Sequence, residues 1–297
     1  MIIKKFLGWH EATIDEYKSC YQQYGGNFST HPDVLSYFHN NEDCKEKFYL
    51  HESKGKINGA VCVWADKYLA NDITSEKVVG DHGFPVAKDE LILPITKERK
   101  IYVPFKSKII SPINKNIVNR SEIINARRTI CLAKPLESFS KKTRYNRNTE
   151  VKKFTQKGGE IRDQSEFTSE EIIEIYASLF KKRRGSDVKN REKLQHFCST
   201  FRENIFGKVL FYKKQPCAFQ LITKSDSCGI LSFDFINIGT DISIKDFSLG
   251  TIIMWLNLNE ATSISKTQNK KIRFSYGRPT FSYKNMWCFQ EKLGRLL

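Results

Sequence analysis

Between Gly229 and Cys288 the residues run strand, loop, buried helix, strand, an order that narrows the possible folds more than any other feature. Gly229 to Gly239 is a short apolar, aromatic run of the kind that forms a buried strand. A polar turn and Asp246-Phe-Ser-Leu-Gly-Thr251 then lead into a helical pattern, Ile252 to Ala261, and a second β-like run covers Ile272 to Arg278. An α/β sheet built this way offers a ligand the N-terminus of its helix, whose first N–H groups lack partners and carry partial positive charge. Ser248, Leu249, Gly250 and Thr251 are therefore the expected cofactor-binding turn, with Gly250 allowing close approach to the main chain. The same residues also suit a plain helix start, Ser248 as N-cap and Gly250 as a packing glycine. No full glycine-rich phosphate loop is present.

A second constraint is a repeated order. Thr13-Ile-Asp-Glu16 is a capping box opening a helix that Gly25-Gly26 stops, and Thr30-His-Pro-Asp33 opens another through Phe38. Phe48 to His51, a turn at Lys54-Gly-Lys56, and Ile57 to Trp64 read as a hairpin. Later, Thr168-Ser-Glu-Glu171 starts a helix, a second covers about Arg191 to Ile205, and Lys208 to Tyr212 with Cys217 to Thr223 form a hairpin around Lys213–Pro216. Helix, helix, strand, turn, strand thus occurs twice without residue identity, and a tandem α/β arrangement explains it. Residues 71–135 carry short apolar runs broken by prolines, and are expected to be irregular strands and loops.

The chain of 297 residues has ample length for a core, and 40% hydrophobic content excludes disorder. A formal charge of +16 favours anionic partners, whether nucleic acid, an anionic membrane face or an acidic small molecule. Part of that charge is concentrated in Ser140 to Lys157, read as a cationic helix ended by Gly158-Gly159, and in Lys181-Lys-Arg-Arg184. Arg144 and Arg147, three positions apart, could grip one phosphate, and Tyr145 leaves base stacking open. Such clusters also serve as solvated helix faces. No sequence-specific DNA-binding signature is present, so none is expected.

The eight cysteines are scattered and form no Cys-x-x-Cys pair, which predicts reduced thiols of a cytoplasmic protein. No His, Cys or Asp spacing suggests a metal. Met1 to Trp9 lacks a sustained apolar run and no later run would span a bilayer, so membrane contact would be peripheral and electrostatic.

Lys142-Thr-Arg-Tyr-Asn146, Asp246-Phe-Ser-Leu-Gly250, and Phe274-Ser-Tyr-Gly-Arg278 followed by Tyr283-Lys284 and Trp287 make the C-terminal half resemble the acetyltransferase-like fold of the CelD and Fem type. With Tyr24-Gly-Gly26, Thr30 to Val34, Lys67-Tyr-Leu69 and Leu93-Pro-Ile95, nearly the whole chain resembles the Mig (macrophage-inducible gene) antimicrobial-peptide-resistance family. The resemblance implies a tandem acetyltransferase-like fold of mixed sheets flanked by helices. Its parts would be an N-terminal half (1–139), a basic linker helix (140–160) and a C-terminal half with the site (161–297). It further implies survival of cationic peptides inside phagocytes and association with the inner membrane, but supplies no reaction. Lys245 to Thr251 departs from the acetyl-CoA loop of ordinary acetyltransferases, which puts acetyl-CoA binding in question. Fem-type relatives with degenerate loops use charged tRNA, so acyl-CoA and aminoacyl-tRNA both stand as donors.

An acyl transfer needs a base, oxyanion donors and an acid. Asp234, alternating away from Phe233 and Phe235, is the expected base; Tyr276 or Tyr283 would be acid or orienter; Arg278 and Lys284 would hold a phosphate or carboxylate. Packing and salt-bridge roles suit the same residues. His31 and His51 read as surface or cap histidines. Two functions remain: a transferase acting on an envelope component or peptide amine, and a non-catalytic, membrane-peripheral binding protein. A strongly basic protein is a poor trap for cationic peptides, which favours the transferase.

Overall fold

The fold follows from a computed structural model that describes residues 2–80 and 83–297. The reading of the Met1–Trp9 stretch therefore begins one residue outside the described range. The short helix α1 (Ile2–Phe6) precedes β1 (Trp9–Ala12), α2 (Ile14–Tyr24) and α3 (Pro32–Asn41). The Thr13 capping box closes as expected, the Glu16 N–H donating to the Thr13 hydroxyl and the Thr13 N–H to the Glu16 carboxylate. His31 caps α3 through its ring nitrogen, which accepts from the Asp33 N–H. Strands β2 (Glu46–Ser53), β3 (Lys56–Trp64) and β4 (Tyr68–Leu69) complete an antiparallel four-stranded sheet in the order β1-β2-β3-β4.

The described residues between 70 and 128 are largely irregular, with the one-turn helix α4 (Glu76–Val79) and β5 (Arg120–Ser121). Next come β6 (Thr129–Ala133), the basic helix α5 (Lys141–Gln156, capped by Ser140) and the second copy of the N-terminal order. That copy consists of β7 (Gly159–Asp163), α6 (Ser169–Arg184), α7 (Arg191–Thr200), the short β8 (Ile205–Phe206), β9 (Lys208–Tyr212), β10 (Gln215–Ser227) and β11 (Ile230–Thr240). Helix α7 is shorter than its pattern predicts. It gives way to a tight turn at Arg202–Asn204, where the Arg202 guanidinium donates to the carbonyls of Gln164 and Phe167.

The second copy continues where the first stops. Helix α8 (Leu249–Thr267) crosses back to β12 (Lys271–Ser275), followed by α9 (Lys284–Trp287), β13 (Cys288–Lys292) and β14 (Arg295–Leu296). These strands form an eight-stranded sheet, β13-β6-β12-β11-β10-β9-β7 with β8 beside β10, while β14 pairs with β5. Strand β6 precedes the basic helix yet belongs to this sheet. Phe233 and Phe274 pack beneath Met254, Trp255 and Leu258 of α8. On the sheet's other face Phe219 and Leu221 share a core with Tyr176 and Phe197, and with Tyr17, Phe28, Phe38 and Trp64 of the N-terminal half. All eight cysteines are free, and only Cys228 is exposed.

Candidate functional site

Strands β11 and β12 run parallel, but only from Ile230/Lys271 to Asp234/Ser275. Beyond that pair β11 bulges at Ile236, continues along β10 to Thr240, and parts from the chain leaving β12. The gap lies at the C-terminal ends of two parallel strands joined by a crossover helix, where open α/β sheets bind ligands. It is a cleft of about 280 Å³ between Phe235–Ile238 and Tyr276–Lys284, closed on the third side by Arg183 and Arg184 from the end of α6.

The cleft is cationic. Arg183 donates to the Ile238 carbonyl at 2.8 Å, and burial beside Arg184 lowers its pKa. Arg184 is exposed and has no ion-pair partner among the described residues. Arg278 donates from Nε to Asp89 Oδ1 at 2.7 Å, so Asp89 is the carboxylate on the cleft wall. Tyr283 is half-buried, and burial raises its pKa, with Arg183 partly opposing. Phe281 stacks on it at 6.0 Å.

Tyr276, Tyr283, Arg278 and Lys284 are thus brought together, although two of them serve other ends. Lys284 is buried and donates to the carbonyls of Tyr276 at 2.6 Å and Arg278 at 2.5 Å, so its charge holds the cleft wall rather than a ligand. The Tyr276 hydroxyl is buried without a partner, its pKa raised far by burial, and is poorly placed to exchange protons.

Asp234 corrects a further expectation. It faces the side shared with Ser232, as alternation predicts, but that side lies under the N-terminal half and does not line the cleft. Burial, with Glu90 nearby, raises its pKa to about 8, so it is protonated at neutral pH. In the adjacent ion group Glu90 is buried and Glu291 partly exposed, with Arg273 Nε 2.9 Å from Glu90 and Nη1 3.4 Å from Glu291.

Arg144 and Arg147 do not converge on one phosphate. Arg144 reaches the Leu136 carbonyl at 3.5 Å, whereas Arg147 pairs with Glu150 at 3.0 Å and lies over Trp287 at 5.2 Å. The Ser248 side chain makes no capping bond. The N–H groups of Leu249 and Gly250 have no acceptor among the described residues, and a Cβ at Gly250 would meet only Ile238 Cδ1 at 3.9 Å. The side-chain position of Gly250 is thus uncrowded, but Ser248–Thr251 line neither this cleft nor two others of comparable size. Arg183, Arg184 and Asp89 are the site residues missed from sequence. The first two stood out only as a charge run, and Asp89 carried no local signal.

Among the described residues no cluster of three or more His, Cys, Asp or Glu could hold a metal, and no helix is long and apolar enough to cross a membrane. The profile of the Mig-14 family matches residues 31–295. The chain belongs to the Mig-14 family. Comparison of this family member with curated protein sequences gave no match. Among solved structures it is similar to L-PGS from Bacillus licheniformis, at 11% identity over 96% of this chain and 91% of that one, TM-score 0.47. It is also similar to a GNAT-family acetyltransferase from Colwellia psychrerythraea (9%, 97% of both chains, TM-score 0.45). A tandem GNAT protein from the clavulanic acid biosynthesis pathway has 8% identity over 97% of both chains, TM-score 0.40. These likenesses are remote, and the mixed α/β architecture with its internal repetition stands on the sheet order itself.

Proposed function

We propose that this Mig-14 family member is an acyl- or aminoacyl-transferase-like protein that holds a phosphate-bearing donor in the cleft between β11 and Tyr276–Lys284. The observation that carries this reading is the parting of two parallel strands around a cleft walled by Arg183, Arg184 and Arg278. Acyl-CoA and aminoacyl-tRNA both combine an activated carbonyl with phosphates, and guanidinium groups suit the phosphates. Ile238 lines the cleft and shares a core cluster with Leu249, so the free amides of Leu249 and Gly250 offer a second anion contact nearby.

In the transfer an acceptor amine or hydroxyl attacks the donor carbonyl. The new C–N or C–O bond forms as the donor's C–S or C–O bond breaks. The acceptor's proton passes to Asp89, and the leaving group takes a proton from Tyr283, whose raised pKa keeps it protonated. Attaching an amine-bearing group to an envelope component would reduce its negative charge and its pull on cationic peptides, giving resistance to them. The +16 charge supports a peripheral position at an anionic membrane face.

A non-catalytic binding protein is the second reading, favoured by the sealed positions of Asp234 and the Tyr276 hydroxyl. Thermal-shift titration with acyl-CoA and with aminoacyl-tRNA tests donor binding, because a ligand of the native state raises Tm. A shift that Arg183→Ala and Arg184→Ala remove supports the donor cleft. Shifts that both variants retain would move the donor elsewhere. Binding without turnover of any acceptor would favour the second reading.

A further inference from the structure

Beside the donor cleft lies a second one of about 340 Å³, lined by Arg127, Arg128, Thr129, Pro279 and Leu293, and sharing Asp89, Arg278 and Thr280 with the first. We infer that this second cleft is the acceptor subsite and that it takes an anionic, phosphate-bearing acceptor rather than a cationic peptide; the inference rests on the donor reading above.

Three observations support it. Arg127 and Arg128 have no ion-pair or side-chain hydrogen-bond partner among the described residues, so their charge is available to a ligand. Their backbone is nevertheless fixed. The Arg128 N–H donates to the Asn125 carbonyl at 2.8 Å and the Arg128 carbonyl accepts from Leu293 at 3.0 Å. The buried Asn125 amide donates to the carbonyls of Lys108 at 2.9 Å and Leu293 at 3.0 Å. Two guanidinium groups on a pinned turn form a prepared anion site, and Arg278 adds a third whose existing partner, Asp89, stands between the clefts. A cationic peptide would meet these three arginines against a single carboxylate, an arrangement that repels it.

The same placement orients the reaction. An acceptor whose phosphate sits on Arg127 and Arg128 presents its amine or hydroxyl toward Asp89, where the two clefts meet. The phosphate could belong to a soluble molecule or to a lipid headgroup. Ile123 and Ile124, at the tip of the same turn, are 89% and 57% exposed, which makes a lipid surface worth a separate arm.

The test measures binding of glycerol 3-phosphate by calorimetry, and of phosphatidylcholine vesicles with and without phosphatidylglycerol by flotation. Both use the full chain and the Arg127→Ala/Arg128→Ala variant. The expected result is binding of at least one phosphate probe that weakens tenfold or more in the double variant and returns in Arg127→Lys/Arg128→Lys. Binding of glycerol 3-phosphate alone assigns a soluble acceptor, and binding of the anionic vesicles alone assigns a headgroup. Binding of neither probe, or binding indifferent to the two arginines, overturns the inference; so does tighter binding of polylysine than of either probe. Loss of donor shifts in Arg183→Ala with phosphate binding intact separates this inference from the donor reading, as does the reverse pattern. If no donor binds at all while the arginine-dependent phosphate binding persists, the donor reading alone fails.

Discussion

The two copies of the strand–helix–helix–hairpin unit diverge at their last strand, and that divergence separates support from site. In the N-terminal copy β4 has two residues, and among the described residues it is followed only by the one-turn α4 and a single parallel bridge from Tyr68 to Lys106. In the C-terminal copy the corresponding β11 spans Ile230–Thr240, α8 crosses over, and β12 pairs with only the first part of β11. The cleft exists because β11 outruns its partner. The N-terminal copy ends instead in an irregular segment whose backbone groups are satisfied by buried asparagines. Asn114 accepts from the Leu93 N–H at 2.9 Å and donates to the Leu93 carbonyl at 3.0 Å, and Asn119 does the same with Val103 at 3.0 and 2.9 Å. Each side-chain amide replaces one rung of a strand partner.

The largest expected effect tests whether the halves form one stability unit. Arg273→Met leaves the Glu90 carboxylate buried beside a lost partner and should cost about 3–5 kcal/mol in urea unfolding, with the transition remaining single. Two separate transitions would show that the copies unfold independently despite their shared core. Next, Asn114→Ala should cost about 1–3 kcal/mol, since it strands the buried Leu93 N–H, while the Leu93 carbonyl keeps the Ile95 N–H at 2.8 Å. The Ser140→Ala cap of α5 in the second half should cost about 1 kcal/mol. Equal losses would deny the asparagines their special part in the N-terminal copy.

A graded effect, which grows with pH, is confined to the C-terminal sheet. The pKa of Asp234 rises on folding from an ordinary value of 3.8 to about 8. Between those values the native state holds a proton that the unfolded chain releases, so this group lowers stability as pH rises from about 4 to 8. The slope is at most about 1.4 kcal/mol per pH unit. Asp234→Asn should therefore melt progressively higher than the parent over that range and equal to it below pH 4. A parallel pair of curves would remove the buried acid from the account. Finally, Gly250→Ala should stabilise by about 0.5–1 kcal/mol, because the position is helical and a Cβ would make only an ordinary van der Waals contact with Ile238. Clear destabilisation would mean that the start of α8 is more tightly packed than its neighbours indicate.

Periodic segments were legible in the sequence because their signals are local. The capping boxes at Thr13 and Thr168 and the two hairpins lie where their residues place them, and the buried run after Gly229 is β11. The site was legible only in part. Tyr283 and Arg278 lie beside the cleft, whereas Lys284 was read as a ligand contact and is held by two carbonyls. Asp234 was assigned correctly to a face, but alternation does not say whether that face meets solvent or the other half of the chain.

What the residue order determined by itself was the set of elements and their repetition, because capping, turn chemistry and hydrophobic period act within a few neighbours. Tertiary structure alone decided that β12 leaves β11 at Ser275, that Asp89 meets Arg278 across 189 positions, and that Asp234 is sealed beneath the first copy. Each of these depends on how far two distant segments stay paired or how completely they exclude water, and no local pattern encodes either distance.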